Sequence, residues 1–116
     1  MGYDVWIACT RGRPCSDTHR DYDLSTSEGR QGYFDYTYEE IGREDIASIL
    51  DMIIEERIDR ECSKVTLVTH GTAANEALVA ASIDSNSWSS KVSKIVNLAP
   101  CLNTELENFW LPVKDV

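Results

Sequence analysis

Val65-Thr66-Leu67-Val68-Thr69-His70-Gly71-Thr72-Ala73 decides how this chain is read, because a β-branched run passes without a loop into small residues and a helical segment. Glycine stands at the apex. Strand, sharp turn and helix in immediate succession form the setting of a nucleophile elbow, the strained turn that lifts a serine above a parallel sheet. No serine is present at this apex.

Outward from that stretch, residues 64–69 read as a strand and residues 72–82 as a helix whose Ala73, Ala74, Ala77, Leu78, Ala80 and Ala81 suit close packing under a sheet. A polar break over residues 84–90 precedes residues 92–98, which read as a further strand ending before Ala99-Pro100. Upstream, Ile46, Ile49, Leu50, Ile53 and Ile54 recur at helical spacing. Glu44, Asp51, Glu55 and Glu56 fall on the other side, the pattern of a half-buried helix. Thr37-Tyr38-Glu39-Glu40 offers it a capping box.

Residues 3–9 are apolar and β-branched, bounded by the turn-rich Thr10-Arg11-Gly12-Arg13-Pro14, and read as a buried strand. Residues 14–32 are polar and read as a surface loop. Strand, helix, strand, helix, strand with crossovers of this length predicts parallel pairing in one α/β domain spanning residues 1–116.

Composition narrows the partners. Twenty acidic against 11 basic residues give a formal charge of -9, which repels phosphate backbones and anionic membrane surfaces. Nucleic acid is excluded as a favoured partner on that ground. No run approaches the ~18 apolar residues of a membrane helix, and no transmembrane segment is expected. Cys9, Cys15, Cys62 and Cys101 lack metal-ligand spacing, so scattered reduced thiols are expected, with three pairings open in an oxidising compartment. No metal or cofactor is expected. Neither a signal segment nor an Asn-x-Ser/Thr sequon is found.

Three segments together resemble the acid lipase family of α/β-hydrolases, the group containing gastric and lysosomal lipases. The first is Gly2-Tyr3-Asp4-Val5-Trp6-Ile7 with Arg11-Gly12, Ser16 and His19 after it. The second is Tyr33-Phe34-Asp35-Tyr36-Thr37-Tyr38-Glu39-Glu40-Ile41-Gly42, followed by Asp45 and Ile46. The third is the elbow with its sequel Ile95-Val96-Asn97-Leu98-Ala99-Pro100.

The resemblance implies a partial α/β-hydrolase-type parallel sheet and, for relatives, serine ester hydrolysis in a lysosomal or secreted setting. It places Thr69, Gly71 and Ala73 where the family carries Gly, the nucleophile Ser and Gly. Gly71 has no atom with which to attack a carbonyl, and glycine occupies the strained apex without the ~1–3 kcal/mol that serine stores there. Ala8-Cys9 and Ala47 also depart from the family pattern. The family's oxyanion loop and its triad acid and base have no counterpart in this sequence. Thr72 matches the position whose backbone N–H helps to bind an oxyanion.

Other candidates have simpler readings. His70 is expected to point away from the apex direction and to be structural, and His19, near Asp17 and Asp21, reads as a solvated loop histidine. Tyr33, Phe34, Tyr36 and Tyr38 read as a packing cluster at the helix start, and Asn97 as a partner for a local backbone group.

In the family, a strand lies between the Tyr3 strand and the Lys64 strand, and its loss leaves two open edges. Direct pairing of the two, a strand from a protein partner or a second copy, or folding within a larger assembly would close the gap. The apolar Phe109-Trp110-Leu111-Pro112-Val113 suits docking on a partner or back onto the sheet. The leading expectation is a catalytically inactive structural or interaction subunit. The alternatives are an ester-hydrolase core completed by another chain, or using Thr72 as an unusual nucleophile, and a lipid-binding module.

Overall fold

Thr37 opens a helical rod that ends at Glu56. Its hydroxyl accepts the Glu40 N–H at 3.2 Å while the Glu40 carboxylate accepts the Thr37 N–H at 2.7 Å, so the expected capping box forms. The computed structural model describes residues 2–57 and 64–101. Within them the rod comprises α2 (Tyr38–Glu40), a π-helical segment (Ile41–Ile46) and α3 (Ala47–Glu56), preceded by α1 (Ser27–Tyr33). After the rod come β1 (Val65–His70), α4 (Ala73–Ile83), α5 (Ser85–Lys91) and β2 (Val92–Leu98).

Hydrophobic spacing explains how the rod lies. Ile46 and Leu50 are buried, Ile49, Ile53 and Ile54 are half-buried, and Glu44, Asp51, Glu55 and Glu56 face solvent. Ile41, Ile46 and Leu50 meet Ala80 of α4 and Val92 of β2 in the core, with Tyr36, Val65, Leu67, Trp88 and Ile95 packed around them. Small residues let α4 approach closely: Ala74 and Ala77 have no exposed surface.

β1 and β2 pair in parallel, joined by a crossover through α4 and α5. Leu67 stands opposite Ile95 on the face turned to the helices, and Val68 opposite Val96 on the other face. That second face carries Thr66, Val68, His70, Lys94, Val96 and Leu98, all exposed. Parallel sheets ordinarily have both faces covered. Here, among the described residues, helices pack on one.

Three expectations are corrected. Residues 3–9 form no strand: Tyr3 and Ile7 are 97% and 95% exposed, and the segment pairs with neither β1 nor β2. A β-branched run without a neighbouring edge has nowhere to place its N–H and C=O groups except in water. Among the described residues the sheet accordingly has two strands, not three, and residues 3–9 do not pair directly with β1. The loop expected over residues 14–32 contains α1, begun by Thr26 accepting from the Gly29 N–H at 3.0 Å. The expected break over residues 84–90 is α5, capped by Asp84, which accepts the Ser87 N–H at 3.0 Å, and anchored by Trp88 against the core.

The cysteines depart from the expectation as well. Cys9 and Cys15 are joined by a disulfide, their Cα atoms 6.1 Å apart, and Cys101 is free. Cys62 and the 109–113 stretch lie outside the described residues. No helix among the described residues is long and apolar enough to cross a membrane.

Candidate functional site

At the end of β1 the chain turns on Gly71, whose φ of +59° is a left-handed conformation that glycine adopts freely and other residues rarely do. Its N–H donates to the Leu98 carbonyl of β2 at 3.1 Å, and its carbonyl accepts from the Ala74 N–H at 3.2 Å. The apex thus belongs to the sheet on one side and to α4 on the other. A Cβ built on Gly71 would meet nothing within 4 Å. The space beside this turn is open and no side chain enters it from Gly71.

His70 is exposed at the strand end and its imidazole makes no hydrogen bond to another described residue, so it is not oriented as a base. Thr72 is the residue before α4, and its hydroxyl does not cap the helix. Instead Thr72 Oγ1 accepts from Arg13 Nη2 at 2.8 Å. A guanidinium cannot take a proton from that hydroxyl, so nothing in this contact activates Thr72 as a nucleophile.

The same guanidinium reaches further. Arg13 Nη2 also donates to Glu76 Oε1 at 2.8 Å, and Thr10 Oγ1 donates to Glu76 Oε2 at 3.0 Å. Glu76 is 2% exposed, one α-helical turn beyond Thr72, and both of its oxygens are engaged. Its charge is tolerated because it is paired and hydrogen-bonded. Nearby, Arg11 forks onto Asp45, with Nε and Nη2 at 2.9 and 2.6 Å from Oδ1, and its backbone N–H meets Oδ2 at 2.7 Å. Nη2 also contacts Glu44 at 2.6 Å. Hydrogen bonding to Asp45 is the main influence raising the Arg11 pKa above its ordinary value, ahead of the opposing effect of burial and the further help of Glu44. The guanidinium is a fixed charge.

The Gly12 N–H donates to Tyr33 Oη at 2.9 Å, and that hydroxyl donates in turn to the Ser16 carbonyl. Tyr33, Phe34 and Tyr36 form a chain of ring contacts, 4.9 and 6.3 Å between centroids, so part of the expected packing cluster forms, whereas Tyr38 is exposed and shares no ring contact with them. Burial, above all, raises the Tyr36 pKa. Residues 10–13 are therefore tied to α1, the π-helical segment and α4 at once. The structure makes this turn a brace for the elbow.

His19 lies in the exposed loop, its Nδ1 accepting the Asp21 N–H at 3.0 Å and its ring 4.7 Å from that of Tyr22. Among the described residues no group of three His, Cys, Asp or Glu side chains is placed to hold a metal. Asn97 departs from expectation: its Oδ1 accepts from Thr69 Oγ1 at 2.6 Å across the strands rather than pairing with backbone. At the end of β2, Ala99 takes a φ of +45°, and the chain returns so that the Cys101 carbonyl accepts from Asn75 Nδ2 of α4 at 3.2 Å.

Arg13, Glu76 and Thr10 were not singled out by sequence reasoning. A signal existed, since Glu76 shares the buried side of α4 with Ala74, Ala77 and Ala80, where an acidic residue needs a partner. In comparisons with family models, curated proteins and solved structures, the chain matches none of them.

Proposed function

We propose that this chain is a non-catalytic relative of the acid-lipase type of α/β-hydrolase that serves as an interaction subunit. The observation that supports the reading is Gly71: the sharp turn between β1 and α4 has a φ of +59° there, a geometry in keeping with a nucleophile elbow, and carries no nucleophile. Support also comes from Arg13, which engages the one hydroxyl beside the apex with a group unable to act as base.

The surface offered to a partner is the bare face of the parallel sheet, where Val68, Val96 and Leu98 are 60%, 38% and 50% exposed. Among the described residues no strand pairs with the other edge of β1 beside it, an edge suited to an added strand. With a net charge of -9, the chain favours a partner with basic residues around an apolar centre.

Two measurements test the reading. Purified protein is expected to show no turnover of p-nitrophenyl esters and no labelling by a fluorophosphonate. Native mass spectrometry of the gently isolated chain is expected to show a complex that dissociates when Val68 and Val96 are replaced by lysine. Serine-hydrolase turnover would overturn the non-catalytic reading, and a monomer unaffected by Val68→Lys and Val96→Lys would overturn the interaction role.

A further inference from the structure

We propose that the Cys9–Cys15 disulfide is a reversible redox latch that sets how tightly the elbow is held. The bond closes the short loop of residues 9–15, and that loop contains every residue of the brace: Thr10, Arg11, Gly12 and Arg13. Each of the four contacts an element distant in sequence. Thr10 and Arg13 bind Glu76, Arg13 binds Thr72, Arg11 binds Glu44 and Asp45, and Gly12 binds Tyr33.

Little else constrains the loop from its N-terminal side. Residues 2–8 are exposed and pair with no described strand. The covalent link to Cys15 therefore substitutes for the sheet pairing that would otherwise fix the start of the turn. Its sulfurs are reachable, since Cys15 is exposed and Cys9 only half-buried. An exposed bond between close residues is open to thiol–disulfide exchange.

The reductant is a dithiol. One thiolate attacks Cys15 Sγ and releases Cys9 as a thiolate, which takes up a proton. The second thiol of the reductant then displaces Cys15, so two electrons and two protons pass to the protein while the reductant becomes a cyclic disulfide. The opened loop regains conformational freedom, and the guanidinium of Arg13 spends less time on Thr72 and Glu76. The first turn of α4 then frays, because the hydroxyl and the carboxylate lose the shared cation that ties them together. This effect does not depend on the proposed lack of catalysis.

Amide hydrogen exchange reads the latch directly. In the intact oxidised chain, Ala74, Asn75 and Glu76 donate within the elbow and the first turn of α4. Treatment with dithiothreitol is expected to speed their exchange at least tenfold, with Leu67 and Ile95 in the sheet unchanged and protection restored on reoxidation. Cys9→Ser with Cys15→Ser is expected to reproduce the reduced state, and Arg13→Ala to give the same loss with the disulfide intact. Reduction of Arg13→Ala should then add less than twofold at these amides. Unchanged exchange at residues 74–76 on reduction, or equal loss at Leu67 and Ile95, would overturn the latch. In the second case the bond would be a staple of the whole fold.

Discussion

Arg13 and Glu76, 63 residues apart in sequence, meet at 2.8 Å with the glutamate side chain 3% exposed and the arginine side chain 45% exposed. Removing the cation leaves a buried charge with only Thr10 for company. Arg13→Ala is therefore expected to lower stability by about 1–2 kcal/mol, less than for a fully buried pair because water reaches the arginine side. Urea unfolding checks the value. Adding Glu76→Leu to Arg13→Ala should recover part of the loss, and a double variant less stable than the single one would contradict this account.

The apex gives a second outcome. Gly71→Ser places a Cβ in open space but forces a non-glycine residue to φ +59°, at an expected expense of about 1–2 kcal/mol. The melting temperature should fall. No ester hydrolysis should appear in the same variant, since the neighbouring hydroxyl is held by Arg13 and, among the described residues, no hydrogen bond orients the His70 imidazole. Turnover by Gly71→Ser would show that a competent base lies near the apex.

Gly42 gives a third. It is buried where the rod crosses α4, and a Cβ there would lie 2.9 Å from the Ala80 nitrogen and 3.1 Å from the Ala80 Cα. Both atoms are backbone, so the helices must separate. Alanine would gain ~1 kcal/mol in helix propensity, but overpacking of about 1–3 kcal/mol opposes it, and the backbone clash belongs at the upper end of that range. Thermal unfolding of Gly42→Ala should show a net loss.

Acid should loosen the start of the rod. The Thr37 N–H, and after it the Thr37 hydroxyl, hold the Glu40 carboxyl below its ordinary pKa, and the Ser25 hydroxyl and N–H do the same for Asp23. A depressed folded-state pKa gives stability that is complete above the unfolded value, near ~4.3 for glutamate, and that is lost as pH falls through the folded value. Circular dichroism at 222 nm is expected to drop below pH ~4 in the native chain, and Glu40→Gln should flatten part of that drop. Identical acid profiles for the two would show that the box contributes nothing.

The sequence made the rod, both paired strands and α4 legible because each is governed by local periodicity or by a capping motif such as Thr37 to Glu40. α5 escaped notice because its serines and asparagine have weak helix propensity, and Asp84 with Trp88 packed half-buried on the core outweighs that weakness. The segment at residues 3–9 misled for the opposite reason. Its pattern suits a strand, yet a strand requires a neighbour that no local pattern can supply. The apex was legible at Gly71. The Arg13 brace was not, because a contact between residues 13 and 76 depends on tertiary placement rather than on spacing.

The π-helical segment at Ile41–Ile46 gives the rod two rotational phases in one continuous helix. Within it Gly42 meets Ala80 of α4, Asp45 receives Arg11, and Ile46, with Leu50 one turn beyond, enters the core. Deleting a single residue between positions 41 and 46 would restore ordinary winding, and because the wider i→i+5 turn already absorbs that residue, the flanking turns would keep nearly the same relative rotation. The loss would fall inside the stretch, where Gly42 meets Ala80 and Asp45 holds Arg11, and not on the burial of Leu50 beyond it.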